Sequence, residues 1–240
     1  NPMTWPSDWQ TNVTFLLRWG HFLAGITWIG MLYFFNLVNV NFMKELDAAT
    51  KGKVVPNLMP KALWWFRWGA FWTVLTGLLY YMLILHTEAN VGRTLGVVLI
   101  GWIVAWLIEA VLLRMSVAGG PLKDGRVLGG VIAVLVAATA YGVASLIREG
   151  GSNRSIAIGI GGGLGTVMFM NVWMIIWPLQ KKIIAATKAA AEGTPAPAEM
   201  PLWARRAFLA SRTNTWLSVP MLFFMGAASH FPIFARLGGG

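Results

Sequence analysis

The 240-residue chain has no cysteine, three histidines and nine acidic residues, and only 12% of its positions are charged. Without a thiol there are no disulfides, iron–sulfur clusters, thiolate zinc sites or covalent C-x-x-C-H haem attachment. A cofactor or metal must then be held by histidine, carboxylate, methionine or backbone. The scarcity of charge is equally informative. Soluble domains carry about 25% charged residues and about 45–50% apolar ones with glycine counted. Here 57% are apolar before the 27 glycines are added, which excludes a disordered chain and a water-soluble globule. With so few acids the net charge is +10, an excess that calls for a membrane explanation. Nucleic acid is not expected as a partner, because the 14 tryptophans lie in long uncharged runs.

A helix needs about 20 mostly apolar residues to cross a bilayer. On that ruler the sequence predicts one polytopic all-α transmembrane domain over residues 1–240. Its six spans fall at about 12–38, 62–86, 94–114, 127–147, 156–180 and 213–234. The first is expected to end at the polar turn Asn39-Val40-Asn41, and the second to open on a belt of Trp64, Trp65, Trp68 and Trp72. Gly159, Gly161, Gly162, Gly163 and Gly165 give the fifth span a small-residue face for close helix packing. No Lys-Ser/Thr follows them, so a phosphate loop is excluded. Residues 189–201 read as the one linker. Trp203 to Leu209 reads as an interfacial amphipathic turn, and Pro220 as a kink in the last span.

Basic residues in short loops set orientation. One set of alternate loops holds Lys44, Lys51, Lys53, Lys61, Arg114, Lys123, Arg126, Lys181, Lys182, Lys188, Arg205 and Arg206, and the opposite set only Arg93, Arg148, Arg154 and Arg236. The bias predicts that both termini lie outside and the basic loops inside, where anionic lipid attracts them. All three histidines then belong to the outer half, with His21 roughly 12–15 Å below the surface at 1.5 Å per residue.

An ionisable residue inside a membrane is a functional candidate. Around His21, Arg18 lies at i−3 and Gly25 at i+4; around His230, Gly226 lies at i−4. Helical spacing puts these on shared faces, with space beside each imidazole. A b-type haem is the cofactor expected from this pattern, its iron held by His21 and His230. Arg18 would face a propionate, and His86 would serve as substitute ligand or supporting group. Ordinary interfacial capping by His86 and His230, an interhelical hydrogen bond at His21 and snorkelling of Arg18 stand as alternatives. Glu109 is the one carboxylate well inside a span, a candidate for a proton path or for pairing with Arg67 or Arg114. Asn171 should face the bundle, since its amide is costly against lipid. The twelve methionines read as span filler rather than a copper site.

Four stretches carry a family likeness. They are Leu17 to Gly30 (LRWGHFLAGITWIG), Leu63 to Gly69 (LWWFRWG), Asn171 to Lys182 (NVWMIIWPLQKK), and Ser211 to Pro220 continued by Ser229-His230-Phe231-Pro232. In this order they resemble the membrane domain of bacterial urate hydroxylase, the urate oxidase N-terminal domain family. The resemblance implies a protein of the bacterial inner membrane that oxidises urate to 5-hydroxyisourate and passes electrons to a cytochrome c module. No C-x-x-C-H occurs in this sequence, so the expected acceptor is a separate, external cytochrome c. The catalytic residues are left open. The alternative is an accessory or structural subunit of a larger respiratory or photosynthetic electron-transfer complex in the same bilayer.

Overall fold

In the computed structural model, residues 6–234 are described, and they form six long helices. The first runs Trp9–Glu45, the second Ala48–Leu85, the third Val91–Ala118, the fourth Gly125–Ile147, the fifth Asn153–Ala191 and the sixth Met200–His230. The first five are long and apolar enough to cross a membrane. The sixth has 31 residues, about 46 Å at 1.5 Å each, and packs along the fifth. Its apolar run is diluted by Asn214, Ser218 and Pro220. The protein is thus an all-helical membrane bundle.

The rare aspartates start helices. Asp8, Asp47 and Asp124 precede the first, second and fourth helices, and each side chain accepts from backbone N–H groups of the opening turn. Such capping satisfies donors that a helix start leaves bare. At Asp47 the Thr50 hydroxyl and amide both donate to the carboxylate, holding its pKa below the ordinary value. Ser152 caps the fifth helix in the same way.

Several elements outrun their apolar stretches. The first helix does not stop at Asn39-Val40-Asn41; it passes through a π-helical segment, Phe34–Asn39, and continues to Glu45. The second begins 14 residues before the expected position and carries Pro56 and Pro60 within it. The fifth contains a second π segment, Asn171–Ile176, and continues to Ala191. Trp203 to Leu209 belongs to the sixth helix itself, which continues through Pro220. The linker therefore shortens to residues 192–199.

Contacts across loops define two ends. At the basic end, the Arg205 guanidinium donates to the Lys123 carbonyl at 2.6 Å, and a Cβ at Gly52 would lie 2.7 Å from that of Ala191. At the other end, Ser152 donates to the Glu88 carboxylate, and the Phe234 amide donates to Asn153 Oδ1 at 2.8 Å. Every loop with clustered lysine and arginine joins the first end, as alternate connections of an antiparallel bundle require.

The glycine-rich face of the fifth helix does two jobs. A Cβ at Gly163 would fall 1.9 Å from the Trp102 indole, and one at Gly161 3.1 Å from Phe224. Trp102 Nε1 donates to the Gly159 carbonyl at 3.1 Å, and the Tyr81 hydroxyl to the Ser155 carbonyl at 3.0 Å. These contacts bring the second, third and sixth helices against the fifth. Gly162 and Gly165, by contrast, face a cavity.

Candidate functional site

The cavity has a volume of about 500 Å³ and lies toward the end of the bundle poor in basic residues. Its wall is almost wholly apolar, supplied by the first, second, third, fifth and sixth helices. From Arg18 to Gly30 it follows the first helix for about 18 Å. Arg18, His21, Tyr80, Tyr81 and Ser229 gather near one end, while the hydroxyls of Thr73 and Thr166 are bonded to carbonyls of their own helices. Phe22 and Ile26 on the first helix and Leu222 on the sixth also line it, yet they are exposed on the outer surface. The cavity therefore opens sideways between those two helices, toward lipid. Deeper in, the Tyr33 hydroxyl and Ser218 Oγ meet at 2.9 Å and draw the same helices together.

His21 is fixed in the wall by the second helix. Its Nδ1 lies 2.8 Å from the Thr73 carbonyl oxygen, an acceptor only, so Nδ1 carries the proton and Nε2 holds the free lone pair. Thr73 diverts its own hydroxyl to the Gly69 carbonyl at 2.6 Å. One turn beyond Thr73, Gly77 makes room for the imidazole, since a Cβ there would sit 2.8 Å from Cε1 of His21. No other polar partner reaches the ring among the described residues.

Of the residues expected at the site, the structure brings His21, Arg18 and Gly25 together on the cavity wall. It does not bring the other three there. His86 follows the last residue of the second helix and is exposed. His230 closes the sixth helix and is also exposed, as is Gly226 one turn earlier. Ser229, not His230, occupies the wall.

Thr73, Gly77, Tyr80 and Tyr81 complete the site on the second helix. Their i, i+4, i+7, i+8 spacing is a stripe of small and hydroxyl-bearing residues in an otherwise apolar helix, and it is the sequence signal that points to them. Of the other polar groups within spans, Arg67 stacks on Trp177 with Cζ 3.9 Å from the ring centroid, and Arg212 lies over Phe208. Neither lines the cavity.

A second buried polar cluster joins the third, fifth and sixth helices away from the cavity. Asn171 Nδ2 donates to Glu109 Oε1 at 2.7 Å and to Asn214 Oδ1 at 2.9 Å. Trp106 Nε1 donates to Asn171 Oδ1 at 3.1 Å, and Asn214 Nδ2 to the Met168 carbonyl at 3.0 Å. Asn171 faces the bundle as expected and is fully buried. Glu109 pairs with that amide rather than with Arg67 or Arg114. Arg67 is held on its tryptophan, and Arg114 is exposed.

The donor set can be tested against a porphyrin. A haem needs a flat apolar slot, an imidazole with one free nitrogen and a cation near the water interface. Gly25, Gly162 and Gly165 leave the wall without side chains at three places, Gly77 makes room for His21, His21 offers Nε2, and Arg18 supplies the cation. A hydrogen bond from the other ring nitrogen to a carbonyl is the usual support of a metal-bound histidine. Among the described residues no three His, Asp or Glu side chains are grouped to hold a bare metal ion. His21 and Arg18 are the residues that would hold such a group, through one histidine and one cation.

No curated protein and no solved structure matches the chain. A family model does: the one described as urate oxidase N-terminal matches residues 46–237, from just before the second helix to beyond the sixth. With most of its length inside that match, the chain belongs to the urate oxidase N-terminal family.

Proposed function

We propose that the protein is a membrane haem oxidoreductase of the urate-hydroxylase type, passing electrons to a cytochrome c outside the bilayer. The observation that carries this reading is His21. Its Nδ1–H is tied to the Thr73 carbonyl and its Nε2 is left free on the wall of a deep apolar cavity. A neutral imidazole held in that tautomer is ready to bind iron without paying to reorient. Arg18 would balance an acid group at the interface, and the apolar wall would keep water from the redox centre. The bound haem would supply one-electron chemistry.

His21 is the one histidine on the wall, so it is the ligand in this reading, and His230 and His86 act elsewhere. The basic-poor end of the bundle is the outer end if lysine and arginine obey their usual cytoplasmic bias. A soluble cytochrome could approach the cavity from that side. Family membership supports urate as the compound oxidised, and Arg18 is the cation available to its oxygens.

The test is a reduced-minus-oxidised visible spectrum of the purified full chain. A b-type signal is expected in the wild type and in His230→Ala and is expected to vanish in His21→Ala. Wild-type protein lacking the signal after expression with haem supplied would end the haem reading. A signal surviving in His21→Ala but lost in His230→Ala would move the ligand to the sixth helix. Urate-dependent reduction of added cytochrome c then tests the substrate and acceptor.

A further inference from the structure

We infer that Arg18 and Arg154 together bind the carboxylate head of a flat or elongated apolar molecule whose body fills the cavity. Both guanidinium groups converge on one phenol. The Cζ of Arg18, on the first helix, lies 5.8 Å from the Tyr80 ring centroid, and that of Arg154, in the first turn of the fifth helix, lies 5.8 Å from the same centroid. Neither has an ion pair among the described residues. The amide and hydroxyl of Ser152 hold Oε1 of the Glu88 carboxylate, its buried Oε2 has no hydrogen-bond partner, and Glu88 forms no ion pair with either arginine among the described residues. Arg18 and Tyr80 line the cavity and Arg154 reaches it only through the Tyr80 ring; two cations on one ring repel each other, and an anion bound between them relieves that repulsion. Arginine is the side chain best suited to fork onto a carboxylate.

The rest of the cavity specifies what the carboxylate must be attached to. Below Arg18 and His21 the wall is almost wholly apolar as far as Gly30, about 14 Å along the first helix, so a small polar anion would leave most of it uncovered. The opening between Phe22, Ile26 and Leu222 faces lipid, so the body enters from the bilayer while the head stays at the interface. Apolar body and acid head at one end is the chemistry of a porphyrin with its propionates and of a long-chain fatty acid. This deepens the haem reading by assigning a second acid-binding cation, Arg154, and it can fail separately because it does not depend on iron or on His21.

The experiment uses the full chain in lipid nanodiscs and two pairs of fluorescent probes. Metal-free protoporphyrin IX is compared with its dimethyl ester, and cis-parinaric acid with its methyl ester. In the wild type at least one acid should bind tenfold or more tightly than its ester. Preference in the porphyrin pair identifies propionates as the natural head, and preference in the other pair identifies a fatty acid. The Arg18→Gln/Arg154→Gln double variant should bind acid and ester alike. Arg18→Lys/Arg154→Lys, which keeps both charges, should recover part of the preference, and His21→Ala should keep all of it. Equal binding of acids and esters in the wild type, no binding of either acid, or a preference that survives the double glutamine variant overturns the inference. Loss of a haem signal in His21→Ala with the acid preference intact would uphold both readings independently.

Discussion

At His21 a single backbone carbonyl decides the chemistry. The sequence marks His21 as a histidine deep in an apolar run, with Arg18 and Gly25 at helical spacing. It does not mark the Thr73 carbonyl, because a main-chain acceptor is present at every residue and only packing selects one. The same limit explains His230 and His86: Gly226 clears space beside His230, and His86 enters only as a substitute ligand, but whether either adjoins His21 depends on how the sixth and second helices cross the first. Gly77 offers a direct check. In Gly77→Ala the new Cβ would lie 2.8 Å from the His21 ring, closer than side-chain carbons tolerate, so the imidazole must rotate or shift. Haem content of the purified variant should fall several-fold with little change in expression, while Gly226→Ala, off the cavity wall and with nothing near the new Cβ, should match the wild type. Asn171 is a second residue on which several partners depend. Its replacement by alanine strips a partner from Glu109, Trp106 and Asn214 at once, and each buried group left unpaired costs about 1–3 kcal/mol. Thermal unfolding in detergent should show Asn171→Ala to be strongly destabilised. Glu109→Gln, which keeps an oxygen acceptor in place, should lose much less.

The helices were largely legible as elements because lipid demands long apolar runs, and the sequence has them. Their ends were less so, since beyond the hydrocarbon the same helices carry lysine, asparagine and proline that a hydropathy reading assigns to loops. Pro56 and Pro60 argue against helix locally because each removes a ladder donor, yet the second helix continues through both. The π segments at Phe34–Asn39 and Asn171–Ile176 were not legible, because an inserted residue in a helix leaves no compositional mark. Each contains a buried asparagine that bonds to the sixth helix: Asn36 to Ser211 and Asn171 to Asn214. The glycines of the fifth helix make a sharper case at this scale. In Gly163→Ala the methyl would collide with the fully buried Trp102 indole, which is itself bonded to the Gly159 carbonyl. The third and fifth helices must separate, a kind of overpacking that costs about 1–3 kcal/mol. Gly165→Ala has nothing within 4 Å of the new carbon and should unfold at the wild-type temperature. Equal stability of the two variants would contradict the close packing of these helices.

Charge, cavity and fold come together only in the whole molecule. The loops rich in lysine and arginine gather at one end, while the cavity with Arg18, His21 and Tyr80 lies toward the other. The chain thus keeps its candidate redox site on the side opposite its cytoplasmic anchor, if the basic end lies inside as the charge bias requires. The absence of cysteine makes this orientation easy to test, because every introduced thiol is the sole reactive one. Glu149, just after the fourth helix, and Thr194, between the fifth and sixth, are both exposed and lie at opposite ends. In intact cells or right-side-out vesicles a membrane-impermeant maleimide should label Glu149→Cys readily and Thr194→Cys only after permeabilisation. The reverse pattern would turn the bundle over and place the cavity on the cytoplasmic side. An external cytochrome c would then have no access to it, even if the spectrum and His21 behave as expected. The orientation therefore decides the partner, whereas the residues of the cavity decide the ligand, and the two can be measured apart.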